Sequence, residues 1–167
     1  MRAVISSKFF FVCLMLGFAL TGGACAQSDE YNHPLGGKKA PEAVLQDVAG
    51  NPQQLGTLIK GKKAVLFFWA TWCPHCRSQI KELSTRKEEM AKENIALVII
   101  DIGEPAAKVS SFMKAQKIDL PILLDAEGAA AETYQVFGIP TMFLIGADGV
   151  VRDGYNGFPD DYKELLK

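Results

Sequence analysis

The longest apolar runs of the chain alternate with an amphipathic segment, which predicts strands and a helix in turn. Residues Ala64–Ala70 and Ile95–Ile102 are apolar at almost every position, a pattern typical of strands buried on both faces of a sheet. Between these runs, apolar side chains recur at helical spacing after Pro74, and charged residues occupy the other face. Strand–helix alternation of this kind predicts an α/β fold.

The second half of the chain predicts shorter elements of both kinds. These are helices over residues 106–116, 129–137 and 159–167, and strands over residues 120–124, 141–145 and 150–152. The last two strands are joined by Ala147-Asp148-Gly149, which favours a hairpin turn. Because a hairpin follows the alternating strands and helices, we expect a mixed central sheet flanked by helices.

The first 26 residues differ from the rest of the chain and predict a secretory signal peptide. Arg2 and Lys8 precede an uncharged stretch from Phe9 to Leu20, and small residues follow it. A membrane-spanning helix needs about 20 apolar residues, whereas a basic start, a short apolar run and small residues are typical of a signal peptide. We therefore expect an exported, periplasmic protein, with residues 27–40 as a flexible tether and residues 41–167 as the folded domain.

Two ways of processing this leader fit the sequence. Ala24-Cys25-Ala26 has the A-x-A form of ordinary cleavage, which leaves Gln27 as the first residue. Cys25 also resembles the acylated cysteine of a bacterial lipoprotein, although Gly22 stands where leucine is typical. The domain is accordingly expected to be free in the exported space, or anchored to the membrane by its signal peptide or by a lipid on Cys25.

Composition and charge exclude several classes of protein. The 167 residues are 49% hydrophobic and 22% charged, with a formal net charge of −1. Such a chain has enough apolar surface to fold rather than to remain disordered. It lacks the basic surface that nucleic-acid binding requires and the polybasic patch that anionic lipids attract.

The cysteines point to chemistry rather than to a structural framework. Cys13 and Cys25 belong to the leader, so the domain keeps only Cys73 and Cys76. A disulfide between them closes a very small loop and adds little stability. Cys73 stands where a buried strand gives way to a helix, and the free N–H groups of a helix start stabilise a thiolate. We therefore expect an exposed, nucleophilic Cys73 and a resolving Cys76 one turn inward.

The two residues between the cysteines are expected to tune this pair. Pro74 suits the first helical turn, since its missing N–H would find no partner there. His75 places a group that carries positive charge, or donates a hydrogen bond, beside the Cys73 thiolate. This arrangement stabilises the reduced form and makes the disulfide more oxidising.

Several motifs in the expected order resemble the thioredoxin superfamily and, within it, the exported TlpA/ResA-like branch. They are Ala40-Pro41, Gly61-Lys62, the segment WATWCPHC at residues 69–76, the segment GIPT at residues 138–141, and Asp148-Gly149 after the strand before it. The resemblance implies a three-layer fold with a mixed sheet, an N-terminal β-hairpin, and a central helical insertion at residues 104–120. It also implies a monomeric thiol–disulfide oxidoreductase that needs no cofactor or metal.

The resemblance further assigns the substrate site and the partners. Pro140 is expected to be a cis proline beside the disulfide, and Ile139 to offer its backbone to an extended client protein. Trp72, next to the nucleophile, is expected to form part of the same surface. A membrane electron donor of the DsbD type is implied for the reductive direction, and cytochrome c maturation is a common role in this branch.

The sequence departs from the family at two positions. Many thioredoxins carry a buried acid where Phe67 stands, and TlpA/ResA-like proteins often carry a glutamate where Gln79 stands. Both positions therefore lack the usual acceptor for the proton of Cys76. We expect the resolving step to be slow at neutral pH and to accelerate as the pH rises.

Three other functions remain open from the residues. The sequence Cys-Pro-His-Cys resembles DsbA-type oxidases, although the 64 residues from Cys76 to Pro140 leave no room for the large helical insertion of that family. A copper or zinc carrier is a second possibility, but zinc prefers four ligands, and besides the cysteines the exported chain offers only His75, between them, and His33, in the tether. A peroxidase is a third, with Thr71 beside the nucleophile.

Overall fold

The computed structural model describes residues 33–167, and the strands of this part of the chain form one mixed sheet of seven. The strands are β1 (Val44–Asp47), β2 (Pro52–Gln54), β3 (Lys63–Trp69), β4 (Ile95–Ile102), β5 (Ile122–Asp125), β6 (Thr141–Ile145) and β7 (Val151–Tyr155). The helices are α1 (Leu55–Ile59), α2 (Pro74–Lys92), α3 (Ala106–Gln116), α4 (Ala129–Thr133) and α5 (Tyr162–Leu165). The sheet order is β2-β1-β5-β4-β3-β6-β7.

The two apolar runs form the centre of this sheet, as predicted. Strands β3 and β4 pair in parallel from Lys63 opposite Ile95 to Trp69 opposite Asp101, and β6 pairs antiparallel with the other edge of β3. Helices α2, α3 and α5 cover one face, where they share a core with β3 and β4. Helices α1 and α4 cover the other face. The expected three-layer α/β fold is confirmed.

The smaller predictions from the family resemblance also hold, with local differences. Strands β1 and β2 form the expected N-terminal hairpin, and α3 lies between β4 and β5 as the helical insertion. The helix predicted over residues 129–137 ends at Thr133 instead, because Gln135 has a left-handed backbone with φ of 53°. Helix α1, only five residues long, has too short a periodic pattern to be predicted from the sequence.

The structure corrects the prediction of a flexible tether for residues 33–40. His33 is 3% exposed and its N–H donates to Asp153 Oδ1 at 2.8 Å. Leu35 is buried in the core on the α1 face, and Lys39 pairs with Val150 beside β7. A polar, glycine-rich segment therefore packs on the sheet, because His33 and Leu35 supply core contacts that its average composition hides.

The predicted leader, Cys25 and the remaining tether residues 27–32 lie outside the described residues. Within residues 33–167, every helix is too short or too polar to cross a membrane.

Candidate active site

The cysteine pair lies at the junction of β3 and α2, where the sequence predicts it. Cys73 is the N-cap residue of α2 and is joined to Cys76 by a disulfide, with 5.3 Å between their Cα atoms. The N–H of Cys76 donates to Cys73 Sγ at 3.2 Å. No acidic residue stands in the first turn of α2, so the positive end of the helix dipole acts on the sulfur of Cys73 without a nearby carboxylate on the helix.

The sequence between the cysteines explains why the helix starts here. Pro74 occupies the first helical turn, where its missing N–H leaves no donor unsatisfied. Arg77 N–H donates to the Cys73 carbonyl at 3.2 Å and begins the helical bonding. His75 is exposed in the same turn, so its imidazole lies at the surface between the two cysteines.

Cys73 is less accessible than its role led us to expect. It is 4% exposed and Cys76 is fully buried. Cys73 Sγ lies 3.9 Å from the carbonyl oxygen of Ile139, so the loop before β6 covers the sulfur. The order of burial agrees with the prediction that Cys76 lies deeper, but the expectation of an exposed Cys73 is wrong.

The loop that covers Cys73 contains the proline that the sequence singles out. The Ile139–Pro140 peptide bond is cis, as predicted, and both residues are half-buried. Thr141 Oγ1 donates to the Gly138 carbonyl at 2.6 Å and closes the loop. The Ile139 backbone and the disulfide are therefore neighbours, although 66 positions separate Cys73 from Ile139 in the chain.

Two large aromatic side chains are exposed in the segments that form this site. Trp72, directly before Cys73, is 61% exposed, and Phe137, two residues before Ile139, is 79% exposed. Solvated aromatic surface at a reactive site is typical of an interaction surface. Phe137 lies at the end of the helix predicted over residues 129–137 and is not among the predicted site residues, although a large apolar residue directly before Gly-Ile-Pro is a visible signal.

A buried glutamate holds the loop between β3 and α2. Glu104, which is 4% exposed, accepts hydrogen bonds from the Thr71 N–H at 2.5 Å and from Thr71 Oγ1 at 2.8 Å. Arg77 Nε donates to the Thr71 carbonyl at 2.6 Å, and Lys108 pairs with Glu104 at 2.5 Å. The Thr71 hydroxyl, which a peroxidase would need at the nucleophile, is thus directed to Glu104.

A second buried acid lies beside Glu104. Asp101, on β4, is fully buried; burial and the Glu104 carboxylate raise its pKa to about 8. Burial acts in the same direction on Glu104, but hydrogen bonds from Lys108 and Thr71 outweigh it and lower the pKa of that carboxyl. Neither acid is among the site residues predicted from the sequence. Asp101 interrupts the apolar run of β4, which is a sequence signal for a buried acid. No local sequence pattern marks Glu104.

Phe67 and Gln79 occupy the two positions at which related proteins often carry an acid, and both are shielded from solvent to some degree. Phe67 is fully buried in the core, and Gln79 is half-buried with its Oε1 atom enclosed and without a hydrogen-bond partner in residues 33–167. Neither side chain is able to accept a proton from a thiol at neutral pH.

The two histidines and the cysteine pair do not assemble into a metal site. His33 packs edge-on against Phe143 in the core on the α1 face, whereas the cysteines belong to the core on the α2 face. Among residues 33–167, no three His, Cys, Asp or Glu side chains are grouped as metal ligands.

Comparisons with known proteins agree with this geometry. Residues 36–153 match the AhpC/TSA family. The chain is 29% identical over 157 residues to the thiol-disulfide oxidoreductase ResA of Bacillus subtilis, an alignment that covers 91% of this chain and 86% of the relative. It is 30% identical to ResA of Bacillus thuringiensis subsp. konkukian over 93% of this chain and 87% of the relative.

A solved structure gives the same result for the fold. The crystal structure of a thiol:disulfide interchange protein of the thioredoxin family from Chlorobium tepidum superposes with a TM-score of 0.65 at 30% identity. That alignment covers 77% of this chain and 92% of the other. With its cysteine pair at the start of α2, the chain therefore belongs to the AhpC/TSA family of thioredoxin-fold proteins and is a thiol–disulfide oxidoreductase that resembles ResA.

Proposed function

We propose that this protein is an exported reductase of protein disulfides, with Cys73 as the nucleophile and Cys76 as the resolving cysteine. The observation that carries the assignment of roles is the position of Cys73 as N-cap of α2, where its sulfur accepts the Cys76 N–H. A thiolate at this position gains from both the hydrogen bond and the helix dipole. Cys76 is fully buried and lies one turn inside the helix, so its sulfur is not at the helix N-terminus.

The reaction then follows from thiol–disulfide exchange. The Cys73 thiolate attacks one sulfur of a client disulfide, forms a mixed disulfide and releases the other client sulfur as a thiolate. Cys76 loses its proton and attacks Cys73 Sγ, which breaks the mixed disulfide. The client leaves with both sulfurs reduced and protonated from solvent, and the protein keeps the Cys73–Cys76 disulfide.

The surface around Cys73 supports an extended client segment. The Ile139 carbonyl, 3.9 Å from Cys73 Sγ, lies where it is able to accept a backbone N–H from a strand-like peptide. Pro140 follows Ile139 in the same loop. Trp72 supplies exposed apolar surface in the residue directly before Cys73. Main-chain contacts of this kind bind clients of varied sequence.

The reductive direction and the location are proposed on the family resemblance and on the leader. A membrane donor of the DsbD type would return the disulfide to the dithiol after each cycle. The signal-peptide pattern of residues 1–26 supports export to the periplasm, with Cys25 as the residue to acylate if the protein is a lipoprotein. Mass spectrometry of the protein purified from membranes distinguishes a lipid on Cys25 from cleavage before Gln27.

Trapping of client proteins tests the roles of the two cysteines. Cys76→Ala removes the resolving thiol, so mixed disulfides through Cys73 should accumulate and disappear on treatment with dithiothreitol. Cys73→Ala is the matched control and should trap far less. Adducts that form through Cys76 in the Cys73→Ala protein, and not through Cys73 in the other variant, would show that the roles are reversed.

A redox titration in glutathione buffers tests the direction. A potential near that of thioredoxin, about −270 mV, supports a reductase, and one near that of DsbA, about −120 mV, supports an oxidase. The oxidase is the second candidate because His75 is exposed between the cysteines, where a positive charge favours the reduced form. Metal analysis and a peroxide-consumption assay test the carrier and the peroxidase in the same preparations.

A further inference from the structure

Two neighbouring carboxyl groups, those of Asp101 and Glu104, are buried beside the loop that leads to Cys73. The side chain and the backbone of Glu104 hydrogen-bond to the Asp101 carboxyl, and neither Asp101 oxygen has another partner in residues 33–167. Two carboxyl groups buried next to each other oppose each other's ionisation, and perturbed acids of this kind cluster at functional sites. Asp101 is therefore a candidate for a role beyond packing.

The register of the sheet places Asp101 under the active-site helix. Asp101 pairs with Trp69, the last residue of β3, across the two central strands. Side chains alternate along a strand, so Asp101 shares its face with Ile99, which packs in the same core as Cys73 and Cys76. Helix α2 contacts β4, and its buried side chains share this core with Ile99. The indole N–H of Trp69 is also buried without a partner in residues 33–167.

Glu104 connects this buried acid to the cysteine loop. Its two oxygens bind the N–H and the hydroxyl of Thr71, two residues before Cys73, and Arg77 of α2 binds the Thr71 carbonyl. The charge state of the two acids therefore acts directly on the segment that positions the nucleophile.

The charges around Asp101 determine how it responds to pH. Glu104 faces it from the loop after β4, and Lys108 of α3 pairs with Glu104. Helix α2 brings Arg77 and the cysteine pair to this face of the sheet, whereas the strand neighbours Trp69 and Leu124 are uncharged. Because burial and Glu104 both oppose ionisation of Asp101, the two acids share one negative charge near neutral pH.

We propose that Asp101 is the buried acid of this active site, a positioning residue that together with Glu104 couples proton uptake on β4 to reduction of the Cys73–Cys76 disulfide. The inference rests on the proposed function. It places a titratable acid on the strand next to β3, whereas Phe67 and Gln79 leave the family's usual positions without one.

The coupling follows from charge. A reductant delivers two electrons, the S–S bond breaks, Cys73 becomes a thiolate, and Cys76 takes one proton from solvent. The new thiolate charge opposes ionisation of Asp101. Over the pH range in which Asp101 is ionised beside the disulfide but protonated beside the thiolate, reduction therefore takes up a second proton, which Asp101 holds.

The midpoint potential of the cysteine pair, measured from pH 6 to 9.5 in dithiothreitol and glutathione buffers, tests this coupling. For the parent, the curve should steepen above about pH 8 by one proton per two electrons, a tenfold change in the equilibrium constant per pH unit, or about 30 mV. Asp101→Asn should match the parent at pH 6, lack the steeper segment, and be easier to reduce at pH 9.5.

Asp125→Asn is the matched control. Asp125 is buried at the end of β5 and caps α4 through the N–H groups of Ala130 and Ala131, next to the core on the other face. Its substitution should keep the steeper segment of the parent. An Asp101→Asn curve of the same shape as the parent's would overturn the proposal.

A second variant and a spectrum keep the test independent of how well Asp101→Asn folds. Glu104→Gln removes the like charge beside Asp101, so the steeper segment should move to lower pH. The infrared spectrum of the oxidised parent should show a protonated carboxyl near neutral pH that is lost above pH 9. An unmoved segment together with no such band would contradict the inference. A disulfide that no dithiol reduces would contradict the proposed function instead.

Discussion

His75 is exposed in the first turn of α2, between the two cysteines. A cationic or hydrogen-bonding group at this position favours the Cys73 thiolate. His75→Gly should therefore make the disulfide harder to reduce. An effect of about 1.4 kcal/mol changes the exchange equilibrium tenfold and lowers the potential by about 30 mV. The measurement is a glutathione titration of parent and variant at pH 7.

Lys81→Gln provides the control for this residue. Lys81 is an exposed cation further along α2, so its loss should leave the potential almost unchanged. Equal shifts in the two variants would mean that the potential responds to the overall charge of the helix. No shift in the His75 variant would make this residue an ordinary exposed side chain of the turn.

At the scale of elements, the loop from α4 to β6 combines a covering backbone with an exposed aromatic side chain. Phe137, at 79% exposure, lies in the loop that covers Cys73 and is positioned to bury apolar surface of a client. Phe137→Ser should raise KM for a peptide disulfide with apolar residues beside its cysteines by about tenfold, the equivalent of 1.4 kcal/mol. The kcat value should change little, because the residue does not touch the reacting sulfurs.

Steady-state reduction of that peptide, and of one with polar residues at the same positions, measures the effect. Val44→Ser is the control, since Val44 is 68% exposed on β1 and lies in the N-terminal hairpin. A Phe137 variant with unchanged KM for the apolar peptide, or with equal losses for both peptides, would refute a role in selecting clients.

The segment before β1 offers another test at this scale. Leu35 is 6% exposed in the core on the α1 face, so Leu35→Ala should lower the free energy of unfolding by about 2–5 kcal/mol. Lys38 is exposed three residues later, and Lys38→Ala should remain within about 0.5 kcal/mol of the parent. Urea denaturation of both variants decides between a packed segment and the tether that composition predicts, for which both substitutions would be neutral.

For the whole molecule, the buried acid pair links stability to pH. The folded protein raises the pKa of Asp101 to about 8 through burial and Glu104, whereas an unfolded aspartate titrates near about 3.9. A group with a raised pKa stabilises the fold most below its unfolded pKa, and this contribution is lost as the pH rises through the folded value. The oxidised protein should therefore lose stability between pH 4 and 8, by at most about 1.4 kcal/mol per pH unit for this group.

Asp101→Asn should flatten this part of the stability profile. Urea denaturation at pH 5, 7 and 9 measures it, and the variant should gain stability relative to the parent as the pH rises. Asp125→Asn should leave the slope of the parent unchanged. If parent and Asp101→Asn lose stability in parallel, the pair does not titrate as one buried unit.

The sequence by itself determined the core of the fold and the position of the cysteines. Burial on both faces of the sheet requires the continuous apolar runs of β3 and β4. A helix that packs on the sheet with one face requires the helical spacing of apolar residues after Pro74. Both are local patterns. A helix that begins at Pro74 makes Cys73 its N-cap whatever else the chain does. These features were predictable because residues close together in the sequence decide them.

The tertiary structure alone decided which distant groups meet at that helix start. The contact between the Ile139 carbonyl and Cys73 Sγ joins residues 66 positions apart. The hydrogen bond from the Thr71 N–H to Glu104 joins residues 33 positions apart. The burial of Asp101 depends on helix α2 and strands β3 and β5 packing around it. Local periodicity carries no information on such pairs, because they form only when the sheet order brings β3, β4 and β6 side by side.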